Sequence, residues 1–174
     1  MTEPRENRLS WDETFMVVAT AFSMRSADPS TQVGACIVNK DNRIVATGYN
    51  GFPAKCEDYE GHWSWSREQG DPDEWLTSKY PYVVHGEMNA ILNATVTLKD
   101  CKLYTAYLPC NDCMKAIIQA GIIEVVYSRG PDVTGSLWLS HQATEQMAKV
   151  ADVKLTQYEG RTFYVSPIKY QTKE

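Results

Sequence analysis

Two short stretches of the chain carry residue types that could do chemistry together. They are His85-Gly86-Glu87 and, about 25 residues further on, Pro109-Cys110-Asn111-Asp112-Cys113. The first offers an imidazole nitrogen and a carboxylate, the second a pair of thiolates. One nitrogen and two sulfurs suit a zinc ion and leave its fourth tetrahedral position open, which separates a catalytic zinc from a structural one. Zinc acidifies water held at such a position. A carboxylate that is not itself a ligand is then free to move protons. The spacing therefore points to hydrolysis, with His85, Cys110 and Cys113 as ligands and Glu87 as the proton carrier.

Helices must position these groups. Cys110 and Cys113 are three apart, so one helical turn places both on one face. Pro109 suits a helix start because it has no amide hydrogen to lose there, and a helix N-terminus favours the thiolate form. His85 and Glu87 are two apart and would diverge on a regular helix. His85 is therefore expected where the chain enters a helix, with Glu87 in its first turn. Glu87→Asp would withdraw the carboxylate by about 1.5 Å, one C–C bond.

Other readings of the same residues exist. A Cys-x-x-Cys pair also serves redox chemistry or half of a structural zinc site. A structural site wants a fourth Cys or His; His62 and Cys56 are the spare residues, both in a polar stretch before the motif. A redox pair would have no use for His85 or Glu87.

The 174 residues suit one domain over positions 1–174 with a proper core. Composition is that of an ordinary globular protein, 43% hydrophobic and 22% charged. No apolar run is long enough to span a membrane, and the polar start does not read as a signal peptide. The five cysteines lack the spacing of a disulfide framework, which suits a reducing, cytoplasmic compartment. A net charge of −5 argues against a nucleic-acid polymer as partner. It leaves a small anion open, since one basic pair can hold a phosphate.

Ser10-Trp11-Asp12-Glu13 has the form of a capping box, opening a helix to about Met24 with Trp11, Phe15, Val18 and Phe22 near one face. Val33–Asn39 and Arg43–Tyr49 read as a hairpin. A Trp-rich connection at 54–82 follows, with a short helix over Asp71–Ser78. Then come a helix over Gly86–Ala94 with Met88, Ile91 and Leu92 inward, and a strand over Cys101–Tyr107. A helix over Cys110–Ala120 is capped by Gly121. A buried strand over Ile122–Tyr127, a helix over Ser136–Val150 and a strand over Val153–Tyr158 complete the order. His141 reads as a residue of a surface helix. An antiparallel opening followed by β-α-β units predicts an α/β fold, a mixed five-stranded sheet with helices on both faces.

The chain resembles the deoxycytidylate (dCMP) deaminases of the cytidine deaminase superfamily. The residues that carry the likeness are Arg25-Ser26, Asp28-Pro29, Gln32-Val33-Gly34-Ala35, Gly48-Tyr49-Asn50-Gly51-Phe52-Pro53, Thr77-Ser78-Lys79-Tyr80-Pro81-Tyr82 and the two motifs above. The resemblance implies a three-layer αβα sandwich and hydrolysis of dCMP to dUMP and ammonia, supplying dUMP for thymidylate synthesis. It further implies a hexamer regulated by dCTP and dTTP. The effector would bind, with Mg2+, at the loop holding Gly48, Tyr49, Asn50 and Gly51. Rival substrates are dCTP, cytidine and 5-substituted dCMP; a silent, zinc-stabilised nucleotide sensor is the rival outside enzymes.

Asn50 is placed by the resemblance on the sugar hydroxyl, and its other reading is a turn residue. Arg25 and Ser26 are candidates for the 5′-phosphate, with a helix-terminal arginine as the alternative for Arg25. Tyr127 and Arg129 are further phosphate candidates. Gly86 stands where the family usually has Ala. Its backbone amide remains available to the base, and the missing methyl is expected to leave room for a 5-substituent.

Overall fold

The computed structural model describes residues 3, 5–56, 64–65, 72–131, 135 and 137–161. The elements run α1 (Trp11–Ser23), β1 (Gly34–Val38), β2 (Ile44–Tyr49), α2 (Pro72–Thr77), α3 (Gly86–Leu92), β3 (Lys102–Tyr107), α4 (Asn111–Gln119), β4 (Glu124–Arg129), α5 (Trp138–Val150) and β5 (Lys154–Gln157). The five strands form one sheet in the order β2-β1-β3-β4-β5. β1 is antiparallel to both β2 and β3, while β3, β4 and β5 are mutually parallel neighbours. This is the mixed five-stranded sheet expected from the sequence.

Alternation along the strands sends side chains to two cores. Cys36, Val38, Tyr104 and Val126 pack with Phe15, Met16 and Ala19 of α1 on one face. Ala35, Ile37, Leu103 and Val125 pack with Ala90, Met114, Ile117 and Ala148, from α3, α4 and α5, on the other. α1 starts at the predicted capping box: the Glu13 amide donates to Ser10 Oγ and the Ser10 amide to Glu13 Oε2, at 3.2 and 2.7 Å. α4 ends at Gly121, whose φ of +80° is the left-handed conformation that glycine adopts without strain.

Several faces differ from expectation. Trp11 is 59% exposed although its ring stacks on Phe15, and the buried stripe of α1 is Phe15, Met16 and Ala19. Leu92, expected inward, is exposed, because the sheet-facing line of α3 is Gly86, Glu87 and Ala90. His141, expected at the surface, is buried on α5, a helix that has α4 as well as β5 for a neighbour. Trp63 and His62 lie outside the described residues. Trp65 packs its ring on Phe52, with centroids 4.6 Å apart.

Three contacts fix α3 and the segment before it on the sheet. A Cβ at Gly48 would sit 2.2 Å from the Ala90 amide nitrogen and 2.5 Å from the Gly86 carbonyl, so only glycine lets β2 and α3 approach this closely. Asn89 Nδ2 donates to the Tyr49 carbonyl at 2.7 Å, and Gly51 and Val84 exchange both backbone hydrogen bonds just before the helix.

Candidate metal and proton-transfer site

His85 and Cys110 occupy equivalent places. Each is the N-cap of its helix with an extended backbone (φ −68°, ψ 154° and φ −68°, ψ 167°), and neither side chain caps its own helix. Each side chain is instead turned toward the other helix. Pro109, expected at the helix start, stands one residue before the cap of α4 and outside the helix. The extended cap conformation is the one favoured in a residue that precedes the first turn.

His85 Nδ1 lies 3.4 Å from Cys110 Sγ and 3.4 Å from Cys113 Sγ. With Zn–N near 2.0 Å and Zn–S near 2.3 Å, the edge of a tetrahedron between such ligands is about 3.5 Å. The three donor atoms lie within 4.8 Å of one another, and among the described residues no other group of three His, Cys, Asp or Glu side chains is drawn together so closely. The donor set fits zinc. The hydrogen bond with Cys113, reinforced by His85 and opposed by burial, lowers Cys110 to about 4. The same bond with Cys110, then burial and the charge of Glu87, raises Cys113. His85 is raised to about 9, first by its hydrogen bond with Cys110, against burial. The shifts leave Cys110 as the thiolate and keep protons on Cys113 and His85, which a bound metal would displace.

Glu87 is buried and completes the constellation from the second position of α3. Its Oε1 accepts from the Thr105 hydroxyl at 2.9 Å, and its Oε2 lies 3.6 Å from Cys113 Sγ. Thr105 was not singled out in the sequence. Its one signal is a hydroxyl following Leu103 and Tyr104 in a strand whose middle is fully buried. A buried hydroxyl needs a partner, and the carboxylate supplies it.

The other predicted residues are distributed around this centre. Asn50 is buried and bridges the turn before β1: its Oδ1 accepts from the Val33 amide at 2.8 Å and its Nδ2 donates to the Thr31 carbonyl at 2.9 Å. The turn reading of Asn50 thus has a physical basis. Arg25 is exposed, with its guanidinium carbon 5.9 Å from the Tyr49 ring centroid, and Ser26 Oγ accepts from the Asp28 amide. Tyr127 belongs to the core on the helix-rich side, and burial raises its hydroxyl pKa. Arg129 donates to the Tyr107 hydroxyl and lies over that ring, 4.9 Å from its centroid. The methyl absent at Gly86 would lie 2.8 Å from the Val33 carbonyl oxygen and 3.5 Å from the Asn50 amide nitrogen. That space is closed by backbone, which corrects the expectation that it serves a 5-substituent.

A buried ion pair was also missed. Lys79 Nζ meets Asp28 Oδ2 at 2.5 Å, with the two side chains 7% and 3% exposed. Asp28 Oδ1 holds the Ser30 and Thr31 amides. Burial alone would raise the Asp28 pKa; the hydrogen bond from Lys79 and those two amides outweigh it and lower it. The pair ties the loop after α1 to the segment leading into α3. Fifty-one positions separate the two residues, and nothing in the sequence pairs them.

The fold and this centre define a zinc-dependent deaminase class. Residues 9–129 match the model of the cytidine and deoxycytidylate deaminase zinc-binding region, and the chain belongs to that family. It is 50% identical over 124 residues to the human protein named deoxycytidylate deaminase, covering 71% of this chain and 67% of that one. It is 49% identical to a probable deoxycytidylate deaminase of Drosophila melanogaster, covering 71% and 61%. Among solved structures, the dCMP deaminase of cyanophage S-TIM5 in complex with dCMP and dUMP is similar, with a TM-score of 0.62 and 28% identity. That match covers 84% of this chain and 95% of the other.

Proposed function

We propose that this chain hydrolyses dCMP to dUMP and ammonia, with zinc held by His85, Cys110 and Cys113. The observation that carries the proposal is the buried Glu87 carboxylate, fixed by Thr105 and facing the three converging donors. The likeness to deoxycytidylate deaminases chooses the substrate. When bound, zinc supplies the acidity that makes water nucleophilic near neutral pH. Glu87 takes a proton from water and delivers one to ring N3. The water oxygen bonds to C4, Glu87 takes the second proton from that oxygen and passes it to the amine, and the C4–N bond breaks so that ammonia departs. Thr105 holds one carboxylate oxygen and leaves the other to exchange protons.

Asn50 would meet the sugar from the same wall that it braces, and Arg25 with Ser26 would meet the 5′-phosphate from the end of α1. The Gly48–Gly51 loop would receive a dCTP or dTTP effector, with Mg2+ on its phosphates. This loop touches α3 at Ala90 and Asn89, so an effector there would act on the helix that carries His85 and Glu87. A hexamer in the cytoplasm completes the proposal. No described helix is long and apolar enough to cross a membrane.

Ammonia release from dCMP, cytidine, deoxycytidine and dCTP in parallel tests this reading. Turnover of dCMP alone is expected; turnover of the nucleosides instead would remove Arg25 and Ser26 from phosphate binding. Glu87→Gln should retain stoichiometric zinc by metal analysis and lose at least about a hundredfold in kcat, the usual scale of a positioned acid–base group. An active Glu87→Gln enzyme would refute the assignment.

A further inference from the structure

The helix after the family-matched segment reaches back to the thiolate turn. Ser140 Oγ accepts from the Asn111 amide at 2.9 Å and donates to Asn111 Oδ1 at 2.7 Å. One turn along α5, the Thr144 hydroxyl donates to the Pro109 carbonyl at 3.0 Å, in a fully buried setting. The residue between Pro109 and Asn111 is Cys110. Four helical residues rise about 6 Å, close to the span of two extended residues, about 6.6 Å. The two hydroxyls therefore grip the chain immediately before and after one proposed ligand.

Neither hydroxyl does what serine and threonine ordinarily do inside a helix, which is to bond the carbonyl of their own preceding turn. Thr14 and Thr20 in α1 follow that habit, bonding Ser10 and Met16. Ser140 and Thr144 reach across to another element. The need arises at the start of α4. The first amides of a helix lack internal partners and are usually met by the N-cap side chain. Cys110 holds that cap position without capping, because its thiol is turned to His85. Ser140 supplies an acceptor from outside to the first of these amides, that of Asn111, and Thr144 satisfies the buried Pro109 carbonyl on the other side.

We propose that Ser140 and Thr144 are positioning residues for Cys110. They hold its backbone so that the sulfur stays in the donor set and zinc is retained. The inference rests on the zinc reading above and concerns retention of the metal, not the chemistry performed there.

The test compares wild type with Ser140→Ala, Thr144→Val and Thr144→Ser. Met147→Ala serves as a control that loosens the inner side of α5 without touching the turn. Zinc content is measured first, then the rate of zinc transfer to a chromogenic chelator, the thiolate charge-transfer band of the cobalt-substituted protein, and Tm. Outer partners of metal ligands commonly change affinity by about 10–100-fold when removed. Ser140→Ala and Thr144→Val should release zinc at least about tenfold faster, with an altered cobalt band, while Thr144→Ser stays near wild type. Met147→Ala should lower Tm and release zinc at the wild-type rate. Release that follows Tm across all variants, control included, would overturn the proposal, as would unchanged release from both Ser140→Ala and Thr144→Val. A wild type without zinc would instead overturn the reading of the site itself.

Discussion

The N-termini of α3 and α4 face the same local problem and solve it differently. Each helix begins at a residue whose side chain is turned to the donor cluster and leaves its own first turn uncapped. α3 is held by the sheet, through glycine-close packing on β2, the Gly51–Val84 backbone pair and the Lys79–Asp28 ion pair just upstream. The start of α4 is held by another helix, through two hydroxyls. On the first side the contacts that hold the site are also contacts that hold the fold. On the second they are few and polar, and can be removed with the core in place. Damage to the α3 side should appear as lost stability, and damage to the α4 side as lost metal.

The largest effect is expected at Lys79. Lys79→Met leaves Asp28 as a buried charge without its cation, which costs about 3–5 kcal/mol when one partner of a buried pair is removed. Urea unfolding of the variant should show that loss, with activity falling in step. Zinc release that accelerates at unchanged stability would break the contrast between the two helix starts.

Gly48→Ala comes next. A methyl 2.2 Å from the Ala90 nitrogen must push α3 away from β2. Overpacking of this kind costs about 1–3 kcal/mol. A lower Tm together with a reduced kcat is expected, because His85 and Glu87 travel with the helix. An unchanged Tm would show that α3 is not seated by β2.

Gly86→Ala should be milder. The gain from replacing glycine in a helix, about 0.5–1 kcal/mol, opposes the strain of a 2.8 Å contact with the Val33 carbonyl. Tm should move little and kcat/KM should fall modestly. Discrimination between dCMP and 5-methyl-dCMP should be the same in both enzymes, since the added methyl faces backbone. A changed ratio would place Gly86 against the base.

The smallest effect concerns pH and lies away from either helix start. Burial would raise Glu124, but hydrogen bonds from Lys102, Lys154 and Thr156 outweigh it and hold the carboxyl at about 2, against an ordinary 4.5. A lowered folded-state pKa gives stability that is complete above about pH 4.5 and is lost as pH falls toward 2. Glu124 joins β3, β4 and β5 at the end of the sheet where these three parallel strands begin. Glu124→Gln should therefore flatten the acid limb of the urea midpoint and leave zinc release at pH 7 unchanged. An acid limb as steep as wild type would assign the loss to other carboxylates.

The sequence by itself determined what is local. The capping box at Ser10 and Glu13, the hairpin, the glycine at the end of α4 and the two motif helices all follow from neighbours within one turn, where spacing and side-chain chemistry act directly. It also placed His85 just before a helix with Glu87 just inside, because two residues two apart cannot share a helical face. Only the tertiary structure decided the rest. It turned Leu92 outward and His141 inward, since inner and outer faces depend on which neighbour a helix meets. It paired Lys79 with Asp28, gave Glu87 its Thr105 partner and brought Ser140 and Thr144 to either side of Cys110. Those partners lie 18 to 51 positions apart. No local spacing rule reaches that far, and each pairing exists because packing removed a polar group from water and left it one place to bond.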